Sequence, residues 1–129
     1  MVIENTISQK IIGAAIEVHK HLGPGLLESA YEQCLGHEFT LQKIQYKQQV
    51  ALPLVYKGKP VDCSYRLDFL VEEKVVLEIK AIDAILPVHQ TQVITYLKLG
   101  GWHLGLLINF HVPLLKHGIF RLVSGLDEK

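Results

Sequence analysis

The sequence predicts one α/β (α+β) domain, a mixed central sheet flanked by helices, on three observations. Apolar residues recur at helical spacing near the amino terminus, shorter runs rich in β-branched and aromatic residues follow, and a further helical pattern falls between two of those runs. A length of 129 residues suits a single domain over 1–129, because roughly 100 to 150 residues enclose one continuous core.

Ile7, Ile11, Ala14, Ala15, Val18 and Leu22 share a helical face, and Thr6 with Gln9 fits a capping box, so a first helix is expected from about Thr6 to His21. Leu22-Gly23-Pro24-Gly25 breaks it, and a second helix follows from about Leu26 to Lys43. Gln45 to Tyr56 reads as a strand that turns through Lys57-Gly58-Lys59 into a hairpin. Pro60 to Val71 and Val75 to Ala81 give two more strands, separated by Glu72-Glu73-Lys74. Pro87 suits the first position of a helix reaching about Leu99, which Gly100-Gly101 ends. Trp102 to Phe110 and Gly118 to Ser124 complete the order α-α-β-β-β-α-β-β.

Thirteen basic and thirteen acidic residues cancel, which argues against indiscriminate binding to nucleic acid; that binding draws on clustered Lys and Arg. Cys34 and Cys63 have no CxxC spacing, so no disulfide framework or thiolate zinc site is expected, and both should be reduced and partly buried. The first ten residues lack a signal-peptide pattern, and the apolar runs fall short of the roughly 20 residues of a spanning helix, so a cytoplasmic protein with no membrane partner is expected. HExxH, GxSxG, GxGxxG and P-loop patterns are absent.

The chemistry concentrates on two neighbouring strands. Alternation puts Val75, Leu77 and Ile79 on one face and Val76, Glu78 and Lys80 on the other, while Leu67, Phe69 and Val71 oppose Arg66, Asp68 and Leu70. If Glu72 to Lys74 form a three-residue loop, Val71 faces Val75, Asp68 faces Glu78 and Arg66 faces Lys80. Directly opposed like charges destabilise a sheet. A divalent cation relieves the carboxylate pair, since magnesium and manganese prefer hard oxygen ligands. Lys80 is then placed to orient a water molecule or to stabilise charge on phosphorus. The plainer alternative is a solvated sheet face, although helices on both sides leave little of that face open.

Gly25, Glu28 and Tyr31 in Gly25-Leu-Leu-Glu28-Ser-Ala-Tyr31 reproduce the GxxExxY signature, and the chain resembles the GxxExxY proteins and, with them, the PD-(D/E)XK nucleases. Arg66-Leu-Asp68, Glu78-Ile-Lys80 and Gln92-Val-Ile-Thr-Tyr96 belong to the same resemblance, with Leu67 where the superfamily name has proline. The resemblance implies a restriction-endonuclease-like core, with Asp68 and Glu78 holding Mg2+ or Mn2+. It also implies catalytic roles for Lys80, Glu28 and Gln92 and substrate contacts from Arg66 and Tyr96, Gln92 and Tyr96 matching a QxxxY motif.

Gln92 and Tyr96 share a helix face, and His89 is three residues before Gln92. Ordinary helix–sheet packing also accounts for Tyr96 and His89. Glu28 suits the first turn of a helix on electrostatic grounds alone, Tyr31 suits the core, and Gly25 suits a turn. The expected function is metal-dependent hydrolysis of nucleic acid, DNA with RNA as the other substrate. The alternative is a catalytically idle nuclease-fold interaction or assembly module working as a homodimer.

Overall fold

In a computed structural model describing residues 2–63 and 65–127, the first helix, α1, spans Ile3–Leu22. Val2 is its N-cap and the first turn closes through Asn5 N–H on the Val2 carbonyl at 3.1 Å, so Thr6 lies inside the helix and the expected capping box does not form. After the break at Gly23 to Gly25, α2 runs over Glu28–Leu41. The apolar spacing of both helices turns one stripe inward, with Ile11, Ala14, Ala15, Tyr31, Leu35 and Phe39 fully buried.

The two long strands expected around the first hairpin are each divided. β1 (Tyr46–Ala51) and β2 (Leu54–Tyr56) part at Leu52-Pro53, where proline has no amide for a ladder, and β3 (Lys59–Val61) parts from β4 (Arg66–Val71). β2 and β3 form a separate two-stranded ribbon. Its turn is only Lys57-Gly58, both with positive φ, as a tight right-twisted hairpin requires. Next come β5 (Val75–Lys80), α3 (Pro87–Gly100), β6 (Leu104–Asn109), a short 3-10 turn (Leu115–Gly118) and β7 (Ile119–Val123).

The main sheet has the order β1-β4-β5-β6-β7. β5 and β6 are parallel, as the intervening α3 crossover demands, and every other pair is antiparallel. α1 and α2 cover one face over Phe69, Val71, Leu77, Ile79, Leu106 and Ile108. α3 covers the other with Val93, Tyr96 and Leu97 against Leu70, Val76 and Leu107. This is an α+β, restriction-endonuclease-like arrangement in the order the sequence predicts, apart from the division of the hairpin strands.

Two further expectations are corrected. Leu67 joins Leu70 in the core beneath α3 instead of sharing the face of Phe69 and Val71, because regular alternation ends with the regular β4–β5 pairing at Phe69 and Leu77. Both cysteines are exposed and not partly buried, Cys34 on the outward side of α2 and Cys63 in the segment between β3 and β4. Among the described residues no helix is long and apolar enough to cross a membrane.

The contact of α3 with the sheet depends on Gly105. A Cβ there would lie 2.7 Å from Val93 Cγ1 and 3.4 Å from Leu97 Cδ2, both on the packed face of α3. Val93 is β-branched and cannot swing aside freely. Gly105→Ala is therefore expected to lower stability by about 1–3 kcal/mol, the usual cost of overpacking. Denaturant unfolding followed by circular dichroism measures it, and an unchanged midpoint would show that α3 does not press on β6 at this point.

Candidate active site

β4 and β5 set the geometry. Their register pairs Val71 with Val75, Leu70 with Val76 and Phe69 with Leu77. Glu72 and Glu73, both with positive φ, make the reversal in the three-residue connection. One step further along, Asp68 faces Glu78, and there the side chains take over from the backbone ladder. The Asp68 amide donates to Glu78 Oε2 at 2.7 Å, and the Ile79 amide donates to Asp68 Oδ2 at 2.8 Å. Each strand thus holds the carboxylate of the other.

Crossed bonds of this kind fix two acids side by side at low solvent exposure, with Glu78 only 7% exposed. Burial is the main cause that pushes the Glu78 carboxyl up to about 8, and the neighbouring charge of Asp68 adds to it. Burial also raises Asp68 to about 6; the Ile79 amide opposes the rise, and Glu32 and Glu28 reinforce it. The half-buried Lys80 sits at the end of β5, and its positive charge lowers both values. Asn109 lies opposite Lys80 in the parallel pairing and pins the chain that follows. Its Nδ2 donates to the Ile82 carbonyl at 2.8 Å, and its Oδ1 accepts from the Ile82 and His111 amides.

α2 brings a second acidic group towards the pair. Gly25 adopts φ 101°, a conformation that favours glycine. Tyr31 ties the loop down by donating its hydroxyl proton to the Gly23 carbonyl and accepting the Leu26 amide, while its ring stacks on Phe110 at 4.7 Å. Glu28 in the first turn and Glu32 one turn later then act electrostatically on Asp68. Glu32 accepts from Gln48 Nε2 at 2.6 Å and from Gln49 Nε2 at 3.0 Å on both oxygens. Gln49 has φ 53° in the middle of β1, opposite Asp68, where β1–β4 pairing lapses between Gln48 and Val50, and its Nε2 also comes within 3.4 Å of Asp68 Oδ1.

On α3, Gln92 Nε2 donates to the Tyr96 hydroxyl at 2.9 Å. The Tyr96 pKa is raised, first by burial and then by the charge of Glu78, so this end of α3 lies within electrostatic reach of the carboxylates. His89 Nδ1 accepts the Leu86 amide at 2.9 Å and caps the helix, and His89 lines one groove together with Gln92 and Tyr96. Arg66 pairs with Ala51 in β1, not with Lys80, and its guanidinium donates to the Gln49 carbonyl at 3.2 Å. The Arg66–Lys80 opposition expected from the register does not form, because β4–β5 pairing stops before it.

Glu32, Gln49 and Asn109 were not singled out by sequence reasoning. Glu32 had a signal, its i,i+4 spacing from Glu28 on one helix face. Gln49 had none, since left-handed backbone inside a strand is not a preference of glutamine.

Among the described residues no three His, Cys, Asp or Glu side chains group closely enough to hold a metal by themselves. A two-carboxylate donor set still fits a hard cation such as magnesium, which keeps several waters and is commonly bound by one or two carboxylates together with substrate phosphates. Asp68 and Glu78 each commit one oxygen to a backbone amide, and among the described residues the other oxygen of Asp68 receives only the long 3.4 Å bond from Gln49 Nε2. Burial also supplies a reason to accept positive charge, since it raises the cost of ionising both acids and the charge of Asp68 adds to that cost at Glu78.

A mixed sheet between two helical layers, with an acid on one strand facing an acid on the next and a lysine two residues beyond, defines a nuclease-type fold class. The family model of the PD-(D/E)XK nuclease superfamily matches residues 5–122, and the chain belongs to that superfamily. Comparison with curated proteins and with solved structures gives no match.

The raised carboxyl values make stability depend on pH. An acid whose folded pKa lies above its unfolded value binds its proton more tightly when folded, so its contribution is complete below the unfolded value and is lost as pH rises through the folded one. For Glu78 that window runs from 4.5 to about 8. In chelator, Glu78→Gln should gain stability relative to wild type as pH goes from about 5 to about 8. Unfolding midpoints of both proteins across this range test it; a pH-independent difference would mean that Glu78 ionises normally.

Proposed function

We propose that this protein is a metal-dependent nuclease that hydrolyses phosphodiester bonds of DNA, with Asp68 and Glu78 holding Mg2+ or Mn2+. The observation that carries this reading is the crossed hydrogen bonding of these two acids, which keeps a buried Glu78 and a half-buried Asp68 side by side in one place. Membership of the nuclease superfamily supports it. When bound, the cation supplies a lowered water pKa and neutralises charge that develops on a phosphoryl oxygen.

The protein's own groups do the rest. Asp68 and Glu78 ionise as they take up the cation, releasing the protons that burial favours, so binding strengthens as pH rises towards about 8. Lys80 offsets their negative charge beforehand and stabilises charge at phosphorus as the bond breaks. Glu28, carried on the first turn of α2, approaches the reacting phosphate as a proton acceptor for water. Gln92 holds the Tyr96 hydroxyl, and the two line the substrate side of the site on α3. Arg66, anchored on Gln49, contributes positive charge to the nucleic-acid backbone. A reducing, cytoplasmic setting suits two exposed thiols.

Calorimetric titration with magnesium and with manganese, on wild type and on Asp68→Ala plus Glu78→Ala, is expected to show binding that the double variant loses. Glu78→Ala should fold and leave cleavage at least a hundredfold slower, the order of loss when a transition-state electrostatic contact is removed. Wild-type-like cleavage by that variant, with contaminating nuclease excluded, would overturn the mechanism. Cleavage by wild type should also rise between about pH 6 and about pH 8 as the acids ionise on binding metal.

A further inference from the structure

Alongside α3 lies a groove of about 580 Å3 walled by Leu54, Tyr65, Gln92, Thr95, Tyr96 and Leu99. It runs between the start of β2 and the helix, and Tyr96 in its wall lies within electrostatic reach of Glu78 and Asp68. Tyr65 is 42% exposed, and its ring centroid stands 6.0 Å from that of Tyr96 at an interplanar angle of 54°. Gln92 and Thr95 add hydrogen-bonding groups to walls that are otherwise mainly apolar.

These features have a chemical meaning for a substrate strand. A concave apolar site with an aromatic wall and a few polar groups takes a flat, partly polar body, and this volume falls in the range that holds one small molecule. A stacked base pair inside a duplex cannot enter it. A protein without net charge also gains little from phosphate neutralisation, which is the main source of affinity for duplex DNA. Stacking of unpaired bases on exposed aromatic rings provides affinity that does not depend on a large basic surface.

We infer that this groove takes an unpaired nucleobase of the DNA strand being cut, stacked on Tyr65, so that single-stranded or frayed DNA is the preferred substrate. The inference rests on the nuclease reading for the phosphate's position beside Asp68 and Glu78. Tyr65 provides the stacking face, Tyr96 closes the inner wall and orients Gln92, and Gln92 presents its amide oxygen to a base edge. Selection then comes from the energy of unpairing, which a duplex must supply and a free strand need not.

The test uses short DNA oligonucleotides carrying 2-aminopurine, single-stranded and as duplex, with calcium replacing magnesium during binding. Wild type and Tyr65→Phe are expected to quench the probe and to bind the single strand more tightly than the duplex. Tyr65→Ala and Tyr65→Leu should bind the single strand roughly five- to a hundredfold more weakly, the range for loss of one base–aromatic stack. Because Tyr65 is exposed, both variants should retain the wild-type circular dichroism spectrum. Equal affinity of Tyr65→Ala and wild type, or equal affinity for duplex and single strand, would overturn the inference. A parallel cleavage assay in magnesium separates the two readings. Cleavage indifferent to Tyr65 and to strand pairing rejects the groove and leaves the nuclease standing; Tyr65-dependent stacking without cleavage rejects the nuclease and leaves the groove.

Discussion

The exchange between Asp68 and Glu78 is the constraint around which the sheet is arranged. At this step of the β4–β5 ladder, backbone amides donate to carboxylates instead of carbonyls, through the Asp68 amide on Glu78 and the Ile79 amide on Asp68. Buried amides need partners, so the strands cannot separate here without orphaning both donors. The acids likewise cannot leave without exposing a gap in the sheet. The proposed chemistry and the architecture therefore share the same four groups.

Several distant features serve that arrangement. Gly105 has no side chain where α3 presses on β6, and this close approach carries Tyr96 and Gln92 down towards the carboxylates. Tyr31 binds the Gly23–Leu26 turn and stacks on Phe110, which sets the direction in which α2 presents Glu28 and Glu32. Asn109 fixes the chain leaving β5, immediately after Lys80. None of these three need touch a substrate. Each limits where a charged group of the site can be.

The site's charge is unbalanced within a chain whose formal charges cancel. Burial is the first cause of the raised carboxyl values; Glu32 and Glu28 add to it at Asp68, Asp68 and Glu28 add to it at Glu78, and the ammonium of Lys80 counters both. The divalent cation proposed for this site would correct the imbalance locally. Gln48 and Gln49 offer another partial answer, since their amide protons satisfy Glu32 and keep its charge turned towards donors. The left-handed backbone of Gln49 lets one side chain lie between Glu32 and Asp68.

The sequence by itself determined the order of the helices and main strands, the faces of Phe69 to Val71 in β4 and of β5, and the register of Val71 on Val75 that brings Asp68 to Glu78. These follow from periodicity and from the length of the Glu72–Lys74 connection, both of which are local. It also carried the spacing that unites Gln92 with Tyr96. Tertiary structure alone decided where regular pairing stops, and hence that Leu67 changes face and Arg66 turns to Gln49 instead of facing Lys80. It alone recruited Gln49 and Asn109, and it alone set Tyr65 against Tyr96. The physical reason is common to all of these: they depend on amides released and spaces opened by strands meeting across the sheet, and no single segment's propensity records which donors its distant neighbours will leave unpaired.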